Sequence, residues 1–143
     1  MRTLILCAAM LLLSACQTHS NDTVRVENAW VRATVAGQPV AAAYMDIVAQ
    51  QAMTLLEVSC DLVESVEIHQ MQMQQGVMRM RKLDRLEIPA GEIVHLSPGN
   101  THLMLINLNA PLNLGQQVAL QFKFQLSDGS VISRRWLMPV KKQ

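Results

Sequence analysis

The stretch Val118-Ala119-Leu120-Gln121-Phe122-Lys123-Phe124-Gln125-Leu126 alternates apolar residues with others at nearly every step. A period of two puts every second side chain on one face of an extended chain, so the stretch reads as a strand with one face buried. The same signal recurs at Val24 to Ala33, Val40 to Val48, Thr54 to Val58, Val66 to Met73, Val77 to Leu83, Ile93 to Leu96, His102 to Leu108 and Val131 to Met138. Turn signals separate these runs: Ala36-Gly37-Gln38-Pro39, Gln75-Gly76, Pro89-Ala90-Gly91, Ser97-Pro98-Gly99-Asn100 and Ser127-Asp128-Gly129-Ser130. The spacing predicts an all-β, Greek-key β-sandwich. Because glycine tolerates positive φ, Gln75-Gly76 and Asp128-Gly129 are expected to close hairpins as primed two-residue turns.

Composition is consistent with a single packed domain. Half of the 143 residues are apolar but only 3% are aromatic, so the core must rest on aliphatic side chains and methionine. The ten methionines exceed what gap-filling asks of this flexible thioether, which points to a use for sulfur. Twelve Lys and Arg against eleven Asp and Glu give a net charge of +1, without a basic run to release counterions from a phosphate backbone. Nucleic acid is therefore not an expected partner.

The N-terminus reads as an address. Met1-Arg2-Thr3 precedes an apolar run from Leu4 to Leu13, the basic and hydrophobic parts of an export signal, and the run is too short to span a bilayer. It ends in Leu13-Ser14-Ala15-Cys16, which resembles the bacterial lipobox, in which the cysteine carries the lipid. Residues 1–15 are thus expected to be a lipoprotein signal peptide, 16–23 a lipidated tether and 24–143 the folded domain. The location implied is periplasmic, with membrane attachment only through the lipid on Cys16. Cys7 leaves with the signal and Cys16 is acylated, so Cys60 is left without a disulfide partner and is expected to be a small buried hydrophobe at a strand end.

Chemistry concentrates in Glu67-Ile68-His69-Gln70-Met71-Gln72-Met73-Gln74-Gln75-Gly76-Val77-Met78-Arg79-Met80-Arg81. With the turn at Gln75-Gly76, Met73 opposes Met78 and Met71 opposes Met80, with His69 within diagonal reach of Met80. A second cluster, His102-Leu103-Met104, puts a histidine and a methionine two residues apart on one strand face. Imidazole with thioether suits a soft ion, and Cu(I) is the available one, whereas zinc prefers thiolate or more imidazole. In an oxidising compartment a thioether has the further merit that it cannot be locked into a disulfide, although it can be oxidised to the sulfoxide. Met71, Met73 and Met78 are expected to pack in the core or form a soft rim. His95 reads as an ordinary strand histidine, and Trp30 and Trp136 read as core or edge plugs, neither lying beside these clusters in sequence.

The order His69, ten residues, Met80, twenty-one residues, His102, one residue, Met104 resembles the metal motif of the periplasmic PCu(A)C copper chaperones. Ala29-Trp30-Val31-Arg32, Pro39-Val40-Ala41-Ala42-Ala43-Tyr44 and Gly76-Val77-Met78-Arg79-Met80-Arg81 are similar to family segments as well. The resemblance implies a cupredoxin-like β-sandwich and a Cu(I) site made by His69, Met80, His102 and Met104. It further implies a metallochaperone that delivers copper to an acceptor cuproprotein, such as the dinuclear copper site of cytochrome c oxidase. Copper sequestration for tolerance would use the same residues. A cupredoxin-type electron carrier needs a Cys thiolate beside two His, and Cys60 lies outside the motif. No G-x-S-x-G, H-E-x-x-H or glycine-rich phosphate loop occurs, so the reading is of a binding protein and not an enzyme. The lipobox-like Cys16 departs from the many soluble relatives.

Overall fold

Val118, Leu120, Phe122 and Phe124 are fully buried along one side of a strand whose other side carries Gln121 and Lys123. The structure is a computed structural model that describes residues 22–142. Its strands are β1 (Val24–Arg32), β2 (Val40–Ala49), β3 (Met53–Ser59), β4 (Val63–Gln74), β5 (Val77–Leu83), β6 (Leu86–Ile88), β7 (Ile93–Leu96), β8 (His102–Leu108), β9 (Gln117–Leu126) and β10 (Val131–Lys141). Nine of these match the sequence-based segments, with β4 beginning three residues early. The three-residue β6, which pairs with β3 at Leu86↔Leu55, was not expected. The signal peptide, Cys16 and most of the tether fall outside the described residues.

The hydrogen-bonded order is β5-β4-β8-β2-β1-β10-β9-β3-β6, with β7 also on β2. Adjacent strands distant in sequence, such as β8 between β4 and β2, make the Greek-key crossovers, and the fold is a cupredoxin-like β-sandwich. A short parallel pairing of β1 with β10, Val31↔Val140 and Arg32↔Lys141, links the layer β5-β4-β8-β2-β1 to the layer β10-β9-β3-β6. The core between them is aliphatic, with Val31, Ile47, Leu55, Leu103, Leu105 and Leu120 all fully buried. Trp136 meets Phe122 edge-on, with ring centroids 5.1 Å apart, and thus fills the core edge as expected.

Two hairpin turns differ. Gln75 and Gly76 both have positive φ, 50° and 77°, as a primed turn between β4 and β5 requires. The β9–β10 connection does not follow this form. Only Gly129 is left-handed there (φ 85°), and Gly129 N–H donates to Leu126 O, so the loop is a type I turn closed by a glycine bulge. Asp128 Oδ1 accepts from both N–H and Oγ–H of Ser130, which holds the aspartate in the right-handed region.

Candidate metal centre

Alternation along β8 sends Leu103 and Leu105 into the core and His102 and Met104 to the outer face of the first layer. The β4–β8 register then sets His69 directly opposite His102, and Glu67 opposite Met104. On the other flank of β4, Met71 opposes Met80 and Met73 opposes Met78, as the turn position predicts. His69, Met71, Met80, His102 and Met104 therefore share one face of three adjacent strands.

β7 and β8 both pair antiparallel with β2, at Met45↔Leu96 and Ala43↔Leu103, and the chain between them loops out over residues 97–101. That loop is built by local chemistry. Asn100 N–H donates to Ser97 O across Pro98 and Gly99, and Gly99 has φ 80°, so Ser97–Asn100 is a type II turn with proline and glycine at their favoured places. The excursion leaves Tyr44 beside the re-entering His102, with ring centroids 6.2 Å apart. The Trp30 ring packs tilted against Tyr44, with centroids 4.7 Å apart, and the Arg32 guanidinium lies 5.5 Å from the same ring. This corrects the reading of Trp30 as remote from the site: it is one ring removed from His102. Asn28 explains how, since its φ of 51° sits where the β1–β2 register slips between Glu27 and Trp30 and re-aims the tryptophan.

The two imidazoles are held in different tautomers. His69 Nε2 lies 2.7 Å from Glu67 Oε2, and Lys82 Nζ donates to the other carboxylate oxygen, also at 2.7 Å. These contacts, Lys82 first and His69 second, hold the Glu67 carboxyl below its ordinary range, so it accepts and His69 Nε2 carries the hydrogen. The lone pair is then on His69 Nδ1, which is buried with no hydrogen-bond partner among the described residues. At His102 the assignment reverses: Nδ1 lies 2.9 Å from Asn100 O, a carbonyl that can only accept, which leaves Nε2 with the lone pair. The ring centroids stand 6.1 Å apart. With metal–nitrogen bonds of about 2 Å, that separation is within the span of two rings bound to one ion.

An open cavity of about 340 Å³ has Met71, Met80, His102 and Met104 among its walls, whereas His69 stands behind His102 and is not one of its lining residues. Ala42, opposite Met104 on β2, ends at Cβ and leaves the space open. Pro98 and Gly99 of the type II turn line it as well. His102 is only 5% exposed whereas Met80 is 49% exposed, so the donor set runs from the interior to solvent. Among the described residues no three His, Cys, Asp or Glu side chains gather into a metal-holding group. Met73 and Met78 are exposed, which removes core packing as their role. His95 lies at the surface with Nδ1 2.6 Å from Asp46 Oδ1, away from this cavity. Cys60 follows β3 in the opposite layer, partly buried against the core, and burial pushes its thiol up.

A family described as "Putative lipoprotein LpqE-like" matches residues 24–132. The chain belongs to the LpqE-like family. It is 32% identical to "Putative lipoprotein Lxx21020" of Leifsonia xyli subsp. xyli, over 91% of this chain and 84% of that one. Among solved structures it is similar to the Cu(I) form of DR1885 from Deinococcus radiodurans, with 26% identity, a TM-score of 0.65, and coverage of 90% of this chain and 87% of that one. The copper-bound PCuAC domain from PmoF2 shares the fold, with a TM-score of 0.65 at 20% identity over 85% of this chain and 94% of that domain. The resemblance to PCu(A)C proteins read from the sequence is thus borne out.

Proposed function

We propose that this protein is a Cu(I) carrier that works outside the cytoplasm, binds one ion through His69, Met80, His102 and Met104, and passes it to an acceptor cuproprotein. The observation that carries the reading is the cross-strand pair His69 and His102, with His102 lining an open cavity together with Met80 and Met104. Similarity to a protein solved in its Cu(I) form supports copper as the cargo. All four donors are neutral, so the ion keeps its charge and is held only by dative bonds. A soft monovalent ion is favoured over zinc by this set. Residues 1–15 act as the signal, and the lipid on Cys16 together with the 16–23 tether holds the domain at the periplasmic membrane surface.

Delivery is favoured over sequestration by the exposure of Met80. An acceptor ligand can attack from the solvent side and replace one thioether before the buried His102 lets go. A blue-copper electron carrier would need a thiolate at the site, and Cys60 belongs to the other layer. The face offers no nucleophile–base pair, so the reading is of a carrier and not an enzyme. The resemblance to PCu(A)C proteins implies an acceptor such as the dinuclear copper site of cytochrome c oxidase. The test mixes the copper-loaded protein with the apo form of the oxidase copper subunit and follows copper in each after separation. Transfer is expected. If the ion stays with the carrier, and if a His102→Ala, Met104→Ala strain assembles oxidase normally at low copper but becomes copper-sensitive, sequestration is the function.

A further inference from the structure

The β4–β5 hairpin carries more sulfur than the four-ligand site uses. Met73 and Met78 are 63% and 47% exposed, so burial does not account for them, and methionine has no special claim on an exposed strand position. Gln74↔Val77 closes the primed turn as a hydrogen-bonded pair, and by alternation Met73↔Met78 and Met71↔Met80 are non-hydrogen-bonded pairs. Side chains approach most closely at such positions, with Cα atoms about 4.5 Å apart. Successive same-face pairs lie about 7 Å apart along the strand. The four methionines form a two-by-two grid of cross-strand pairs that starts near the exposed hairpin tip and ends at the cavity, which Met71 and Met80 line together with His102 and Met104.

We propose that Met73 and Met78 form a second, weaker site for a soft monovalent metal ion, from which the ion passes through Met71 to the main centre. The proposal rests on the function above, which it extends with an entry route. Two facing thioethers supply a low coordination number, enough to capture Cu(I) but not to retain it against a site with imidazoles. Each step exchanges one dative bond for another at the same metal, with no change of oxidation state and no proton released. Met71 is the hinge of this route, since it lies next to the Met73–Met78 pair on β4 and also lines the cavity.

Titration of the protein, labelled with 13C at the methionine methyl groups, with the redox-inert ion Ag(I) tests this by NMR. The first equivalent is expected to shift the methyls of Met80 and Met104, and the second those of Met73 and Met78. A Met73→Leu, Met78→Leu double variant keeps similar size and apolarity at two exposed positions, so it should fold, bind the first ion with unchanged affinity and lose the second. Loading of the main site in stopped-flow should also slow in this variant. The proposal is overturned if Met73 and Met78 stay unshifted beyond the first equivalent, if the second ion persists in the leucine variant, or if that variant loses the first. Should Met73 and Met78 respond while Met80 and Met104 never do, the hairpin site stands and the function proposed above fails.

Discussion

His69 and His102 face each other as cross-strand partners of β4 and β8, with opposite nitrogens turned to backbone or carboxylate acceptors. Neither tautomer is a property of the histidine alone. Each follows from what accepts its N–H, so the pair is set for a shared ion before any ion arrives.

Glu67 is accordingly a positioning residue. Replacing it with alanine frees His69 Nε2 to exchange roles with Nδ1, and copper affinity should fall by about 10–100-fold, as for other partners of metal-bound histidines. Glu67 and Lys82 are partly exposed, so unfolding free energy should change by less than about 1 kcal/mol. Competition titration against a Cu(I) chelator, beside denaturant unfolding of the apo protein, separates the two effects. Equal losses in both would assign Glu67 to the fold alone.

Copper retention should fall with pH. Imidazole must be neutral to ligate and thioether is indifferent, so over the mildly acidic range protons compete with the ion for both rings and release should involve two protons. The Glu67 carboxyl, held low, stays ionised throughout that range and does not add to the proton count. Copper retained against limiting chelator is the readout, and a flat profile would exclude ligation by both histidines.

Ala42→Leu places a branched side chain against Met104 on the cavity side. The variant should fold, since Ala42 is only partly buried and lies outside the core, yet bind copper more weakly than wild type. Unchanged affinity would mean that the cavity beside Met104 is not part of the site.

Asp46 supports the site from further away. It accepts from Asn28 Nδ2 at 2.7 Å and meets His95, and these contacts, Asn28 foremost, hold its carboxyl below the ordinary value. A depressed carboxyl stabilises the fold fully above its unfolded value and loses that contribution as pH falls through the lower folded value. Asp46→Ala should therefore cost less than about 1 kcal/mol near neutral pH, and less still in strong acid. Because Asn28 sets the bulge that aims Trp30 at Tyr44, the variant should also change Trp30 fluorescence, which a Trp136→Phe background isolates.

Much of this site was legible in the sequence because it is local. One turn, Gln75-Gly76, fixes the pairing of Met71 with Met80 and Met73 with Met78, and the i, i+2 spacing fixes His102 with Met104. The encounter of His69 with His102 depends on the β4–β8 register, which no single hairpin sets, and the spacing resemblance bridged that gap. Trp30 was misread because its approach to Tyr44 depends on a bulge at Asn28, and a positive φ at asparagine leaves no periodic trace. β6 was missed because three residues are too few to show alternation. Met73 and Met78 look like core residues by type, and only their place on the outer face of the edge hairpin exposes them.

X-ray absorption at the copper edge of the singly loaded protein reads out whether the Cu(I) centre is made of two imidazoles and two thioethers. One Cu(I) per chain with mixed nitrogen and sulfur neighbours is expected, with loss of the sulfur shell and weakened binding in a Met80→Ala, Met104→Ala variant. A sulfur-only shell at thiolate distance, or binding undiminished in that variant, would contradict it.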